Sequence, residues 1–314
     1  MDYPSSIIGL VKEFGINADK KYGQCFLTDN NVLDKIVELS AISREDLVVE
    51  IGAGPANLTA RLSAAAGLVI AFETDRNLVK IYERYFNDSN VSFFIQDFLK
   101  ADLSAIIKKV SAGKNAAYKA IKVVANIPYY ITSQIIENLL YSNVSYEDIV
   151  LLMQADVADR IVSAPGTKDY GILSVACNLK ADVKCLKKIP NTCFSPRPEI
   201  DSALVRFTPR KRELGDNFNE DVFFAIVKSA FNQRRKIAVS AIANNISRIC
   251  EINRYAEAIT GFFKSEDIKR IAAGIFKKTG LLANARAEQI SLNEYIALAN
   301  EFNLLIGSGH GGLN

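Results

Sequence analysis

The chain has one histidine, two methionines and no tryptophan among its 314 residues. The histidine is His310, in the glycine-rich stretch 307–312. A zinc site built on imidazole or a Ser-His-Asp triad therefore has no histidine in the body of the chain to use. The five cysteines, Cys25, Cys177, Cys185, Cys193 and Cys250, are odd in number and form no C-x-x-C pair. That pattern points to reduced thiols in a reducing compartment. Neither sign of charge dominates, with 38 basic and 35 acidic residues and a net of +3, so the placement of basic residues says more than their total. No apolar run approaches the roughly 18 residues of a membrane span, and Met1-Asp2-Tyr3-Pro4 lacks the basic and apolar regions of an export signal. The expectation is a cytoplasmic protein with no membrane partner and no metal.

What is present is a 49% apolar composition, enough for a real core in one large domain or two ordinary ones. The apolar run Ile121 to Ala125 closes on Asn126-Ile127-Pro128-Tyr129, which predicts a buried parallel strand ending in a fixed loop. In open α/β sheets that carboxyl edge is where ligands sit. Pro128 fixes its own φ and pushes Ile127 toward an extended conformation. Asn126 adds a side-chain acceptor, Pro128 a backbone acceptor and Tyr129 a flat aromatic face. Two acceptors and a stacking surface fit a planar base with an exocyclic amino group; a plain proline turn is the alternative.

A second strand end is of the same kind. Leu47 to Ile51 runs into Gly52-Ala53-Gly54-Pro55-Ala56-Asn57, then a helix to about Ala66. Strand, glycine turn and helix open a nucleotide-binding doubly wound sheet. Asn57 stands where the dinucleotide fingerprint needs its third glycine, and Pro55 removes an amide, so NAD is disfavoured. Glu50 with the glycine turn is instead similar to motif I of the class I S-adenosylmethionine-dependent methyltransferases. Leu68 to Phe72 ends at Glu73, at the spacing where an acid meets a ribose diol. Val91 to Ile95 ends at Gln96-Asp97, where Asp97 can accept from an adenine amine or cap a helix. Polar residues at four successive strand ends suggest a ligand crevice.

Around this lie Lys20-Lys21-Tyr22, either a nucleic-acid contact or a solvated arm, and a helix after Thr28 or Asp29. Further strands are expected at 149–153, 173–183 and 202–207. Phe194, at the head of a stiff loop with two prolines, is either a small core plug or an exposed aromatic platform. Past Pro209 the composition shifts through Arg210-Lys211-Arg212, and helices are expected at 220–231, 234–246, 254–262 and 292–302. Arg234, Arg235 and Lys236 cluster without a compensating acid, a phosphate-contacting patch or a solvated helix face.

Taken in order, Gly23-Gln24-Cys25-Phe26-Leu27, Glu50 to Gly54, Gln96-Asp97, Asn126 to Tyr129, Phe194 to Pro198 with Asp201-Ser202-Ala203, and Phe231 to Lys236 resemble the motifs of the ribosomal RNA adenine dimethyltransferases of the KsgA type, from about Lys20 to Phe302. The resemblance implies an α/β class I methyltransferase fold, with a Rossmann-like, mostly parallel seven-stranded sheet over residues 1–210 (1–27 as an N-terminal arm). A small all-α RNA-binding domain over 211–306 and a tail at 307–314 complete it. It implies dimethylation of N6 of two adjacent adenosines in the 3'-terminal hairpin of small-subunit rRNA, with S-adenosylmethionine as donor and the immature small subunit as partner, by a monomer. Gln24, Cys25 and Leu27 would border the methionine end of the donor and Gly52 its backbone cradle. Glu73 would hold the ribose, Asp97 the adenine amine, and Asn126 the reaction centre. Asn126, Ile127, Pro128 and Tyr129 would hold the target base, with Phe194 stacking on its far face, and Arg234, Arg235 and Lys236 would touch RNA. The family usually has Asn where Cys25 stands, Gly-Pro-Gly for Gly52-Ala53-Gly54, and often Asn for Tyr130. An Erm-type enzyme on large-subunit RNA and a non-catalytic assembly factor on the same fold are the alternatives; an NAD-dependent dehydrogenase is a weaker one.

Overall fold

The computed structural model describes residues 3–16, 25–113, 118–245 and 265–308. Two compact units emerge, one from Met1–Asp159 with Ala181–Arg210, the other from Arg160–Lys180 with Lys211–Asn314. The second unit thus takes residues 160–180 from within the stretch that the sequence assigns to the first.

The first unit begins with helix α1 (Ile7–Glu13), the short strand β1 (Phe26–Leu27) and helix α2 (Asn30–Leu39). Asp29 caps α2, its carboxylate accepting from the amides of Asn31 at 2.9 Å and Val32 at 3.2 Å. Strands β2 (Asp46–Ile51), β3 (Leu68–Glu73), β4 (Val91–Ile95), β5 (Ala120–Asn126) and β6 (Asp148–Gln154) run parallel. Helices α3 (Asn57–Ala65), α4 (Val79–Tyr85), α5 (Leu103–Gly113) and α6 (Thr132–Leu140) connect them, and α7 (Ala155–Val162) follows. Because crossover helices cover both faces, β2 and β3 are buried at every residue, the acids Asp46, Glu50 and Glu73 included.

Strand β7 (Ala181–Ile189), a two-residue β8 (Phe194–Ser195) and β9 (Ser202–Pro209) complete the unit. The sheet order is β4-β3-β2-β5-β6-β9-β7, with β9 antiparallel to both neighbours, as expected for a mostly parallel seven-stranded sheet. The outer strand β7 carries Lys184, Lys187 and Lys188 and a register shift between Cys185 and Lys187, devices that discourage edge pairing. Separately, β1 pairs antiparallel with β8, Leu27 opposite Phe194.

The second unit is helical among the described residues: α8 (Ile172–Lys180), α9 (Glu220–Asn232), α10 (Ala238–Ala243), α11 (Ser265–Lys278) and α12 (Leu292–Ser308). Its core joins Tyr170, Val175 and Leu179 to Phe223, Ile226, Phe276, Tyr295 and Phe302. The strand expected at 173–183 is instead α8 followed by β7. A short apolar run has no periodicity that separates buried helix from strand; here Val175 and Leu179 join the helical core, and Ser174 accepts from the amide of Gly171 at 3.0 Å at the helix start. The helix expected from Arg234 begins only at Ala238, because the chain turns after Asn232, with Lys236 N donating to Gln233 O at 2.7 Å. The helix expected at 254–262 lies outside the described residues. Helix α11 has no counterpart among the expected elements.

Candidate functional site

The carboxyl ends of β2, β3, β4 and β5 open into one cavity of about 1080 Å³. That exceeds the roughly 300–1,000 Å³ of ordinary small-molecule pockets and leaves room for more than one ligand. Cys25, Leu27, Gly52, Glu73, Asp97, Asn126, Ile127, Pro128 and Tyr129 all line it. The four strand ends singled out in the sequence therefore converge on one place.

The glycine turn sets the floor. Gly52 has φ +79° and Gly54 φ +54°, left-handed backbone that favours glycine. A methyl on Gly52 would lie 3.5 Å from Pro128 Cδ and 3.6 Å from Asn126 O, so the turn sits directly against the loop after β5. Tyr82 Oη donates to Gly54 O at 2.7 Å, and the Tyr3 hydroxyl donates to Pro55 O. Asn57, at the place of the missing third glycine, donates from its side chain to Leu27 O. That bond ties the turn to the 25–27 segment, which also lines the cavity, and no local sequence pattern announces it.

Glu73 is buried and holds the turn from the next strand. One carboxylate oxygen accepts from Gly54 N at 2.8 Å, the other from Thr74 N at 2.6 Å and Asp75 N at 2.9 Å. The oxygen that accepts from Gly54 N keeps a second lone pair for a ligand hydroxyl, while the other is saturated by its two amides. Asp97 caps the turn after β4, accepting from Leu99 N at 3.0 Å, while lining the cavity, so the cap and the ligand-acceptor readings are compatible. Glu50, 1% exposed, leaves its Oε2 without a hydrogen-bond partner. Burial pushes its carboxyl up to about 8, against a downward pull from the Thr59 hydroxyl and with a further push from Glu73. Two acids at the ends of β3 and β4, beside a glycine turn, offer the acceptors that a ribose-bearing nucleoside with an exocyclic amine needs.

Asn126 ends β5, half-buried, and among the described residues its side-chain amide has no protein hydrogen-bond partner. Ile127 N donates to Leu152 O at 3.2 Å, which fixes the loop on β6. Pro128 O accepts only at long range, from Ile131 N and from Thr132 Oγ1, both at 3.4 Å. Tyr129 is half-buried, with its hydroxyl 2.8 Å from Ser202 Oγ on β9. Desolvation raises its phenol above the usual value, with Ser202 pulling down and Cys25 pushing up, so it stays neutral. Ser202 belongs to a predicted motif, but nothing in the sequence pairs it with Tyr129.

One assignment needs correction. Phe194 does not line the cavity: it is 4% exposed, packed in the core of the first unit opposite Leu27. The core-plug alternative describes it, and it offers no face to a base. Arg234 is exposed and borders the same cleft as Arg235, and its guanidinium also donates to Lys168 O and to Tyr170 O at 3.2 Å and lies 3.8 Å from Glu288. It pins the 168–170 segment. Arg235 and Lys236 are exposed, and Arg235 borders a cleft of about 260 Å³ with Lys168 and Arg286, two cations the sequence placed too far away to be noticed. Gln24 lies outside the described residues. Cys25 is half-buried, its thiol raised by desolvation. Among the described residues no group of acids, cysteines or histidines can hold a metal, and no helix is long and apolar enough to cross a membrane.

Comparison with known proteins gives a consistent picture. Residues 15–260 match the family model described as ribosomal RNA adenine dimethylase. A ribosomal RNA small subunit methyltransferase A from Lachnoclostridium phytofermentans is 37% identical over 95% of this chain and 96% of its own length. One of the same name from Levilactobacillus brevis is 35% identical over 95% of both. Among solved structures, a dimethyladenosine transferase from Plasmodium falciparum has TM-score 0.72 at 24% identity, covering 89% of this chain and 98% of its own. The 23S rRNA methyltransferase ErmE has TM-score 0.61 at 20% identity, covering 88% and 98%. At such identities these two show a shared fold.

Proposed function

Since the chain belongs to the ribosomal RNA adenine dimethylase family, we propose that it transfers two methyl groups to N6 of each of two adjacent adenosines in the 3'-terminal hairpin of small-subunit rRNA, on immature small subunits in the cytoplasm. It is an S-adenosylmethionine-dependent rRNA adenine methyltransferase. The observation that carries the finer reading is Asn126: a partnerless side-chain amide at a strand end, in one cavity with the glycine turn, Glu73 and Asp97.

Bound S-adenosylmethionine supplies an electrophilic methyl on a sulfonium. Glu73, with a lone pair left on the oxygen that accepts from Gly54 N, would accept from a ribose hydroxyl. Asp97 accepts from the adenine amine of the donor, and the Gly52 turn lets it approach the backbone. On the acceptor side, the N6 lone pair of adenine is delocalised into the ring and is a poor nucleophile. Asn126 Oδ1 and the carbonyl of Pro128 or Ile127 accept the two N–H bonds and bias the amine toward a pyramidal geometry. A nitrogen–carbon bond forms as the sulfur–carbon bond breaks, and the proton leaves to solvent after attack. No strong base is needed, so the lack of histidine in the body of the chain is no obstacle. Alignment of this kind contributes on the order of 7–11 kcal/mol.

Extruding the base costs a few kcal/mol, and stacking on Tyr129 returns roughly 1–3. The Ser202 hydroxyl holds that ring in place. In the second unit, Arg235, Lys236, Lys168 and Arg286 form the surface that meets RNA phosphates. The test is mass mapping of rRNA from cells lacking the protein, complemented with wild type or Asn126→Ala. Loss of dimethyladenosine in the small-subunit hairpin, restored by wild type and not by Asn126→Ala, is expected. Loss in large-subunit RNA instead would replace this reading with the Erm-type one.

A further inference from the structure

Tyr130 is left unexplained by the functions assigned to its neighbours. Tyr129-Tyr130-Ile131 form a single 3₁₀ turn after Pro128, and successive residues of such a turn point about 120° apart. The two tyrosine rings therefore cannot share a direction. Tyr129 goes inward to Ser202, while Tyr130 is 63% exposed. Among the described large apolar residues that stand well exposed, which include Ile8, Ile237 and Leu282, Tyr130 is the one that lines the cavity.

We propose that Tyr130 is a second stacking platform, at the rim of the cavity, that holds the nucleotide adjoining the target adenosine. The inference rests on the function proposed above. A base drawn into the cavity drags its covalent neighbour to the rim, where that neighbour has lost its own stacking partner. An exposed ring at the rim restores one π-face interaction, and because every base has such a face the ring does not read sequence. That indifference suits a site that must process two neighbouring adenosines in turn: with the strand running in one direction, the nucleotide beside Tyr130 is the second adenosine in one round and a flanking nucleotide in the other, and the ring accepts both. The stack is made before and during transfer alike, so it belongs to binding and not to the chemical step.

The experiment compares Tyr130→Leu, Tyr130→Phe and Tyr129→Ala in steady-state methylation of unmodified small ribosomal subunits, with S-adenosylmethionine affinity measured in parallel as a check on the fold. Tyr130→Leu keeps apolar bulk and removes the aromatic face. It is expected to raise KM for subunits roughly tenfold, a loss toward the low end of the stacking range because leucine keeps some apolar contact, with kcat and donor affinity unchanged. Tyr130→Phe should behave as wild type. The inference is overturned if Tyr130→Leu leaves KM unchanged, if it lowers kcat instead, or if Tyr130→Phe is as impaired as Tyr130→Leu. Inactive Tyr129→Ala with a normal Tyr130→Leu would remove the platform alone; normal rates in both would remove the base-clamping function too.

Discussion

The bond between Tyr129 and Ser202 makes a quantitative prediction, because the two hydroxyls differ in what is left behind when each is removed. Ser202 is completely buried, so Tyr129→Phe strands its hydroxyl and should cost about 1–3 kcal/mol of stability. Ser202→Ala strands a phenol that is only half-buried and that water can partly reach, so it should cost less, about 1 kcal/mol. The double variant leaves no orphan. Its loss should fall short of the sum of the singles by about 0.5–1.5 kcal/mol. Urea denaturation of the four proteins measures this directly. In turnover, Tyr129→Phe keeps the ring and should lose less than about tenfold, whereas Tyr129→Ala gives up roughly 1–3 kcal/mol of stacking, or about 5- to 150-fold. Strict additivity of the two single variants in stability, or equal turnover losses for Tyr129→Phe and Tyr129→Ala, would refute the view that Ser202 fixes a stacking ring.

Three further outcomes are expected. Phe194→Ala should destabilise by about 3–5 kcal/mol through a core cavity, while Phe194→Leu stays folded and active; a stable but inactive Phe194→Leu in a methylation assay would return this residue to the base site. Glu50 is raised from 4.5 to about 8, so the unfolded chain ionises first and stability is lost as pH rises between those values. Glu50→Gln should flatten that slope in pH-dependent denaturation of the donor-free protein, and an unchanged slope would contradict the raised value. Finally, Arg235→Ala should make small-subunit binding less sensitive to salt, its log–log slope shallower by roughly 0.7–0.9 for each phosphate left without its cation. Arg234→Ala should instead lower the melting temperature of the protein, by releasing the 168–170 segment; a reversed pattern in binding and thermal melts would exchange the two assignments.

The parallel strands were legible because a sheet set between helices favours short, mostly apolar runs rich in Val, Ile, Leu and Phe, and their polar ends then stand on one edge by topology. Asn126, Glu73 and Asp97 could be placed in one crevice on that ground alone. What stayed hidden depends on partners remote in sequence. Asn57 looks like a defect in a glycine fingerprint until its bond to Leu27 O is seen. Phe194 becomes a core residue only through its pairing with Leu27, and Arg234 a tether only through Lys168, Tyr170 and Glu288. Residues 172–180 carry no periodic signal to set helix apart from strand, so their conformation is decided by the helical core they join.

That last segment bears on how the polypeptide is made. Tyr170, Val175 and Leu179 leave the ribosome well before Phe223 to Phe302, the side chains they pack with. For a substantial part of synthesis, then, a finished apolar helix must wait without its neighbours. Trimming the gene at residue 211 would yield a C-terminal fragment permanently missing that helix, so a severed piece of this kind is a poor stand-in for the intact enzyme in any assay of RNA affinity.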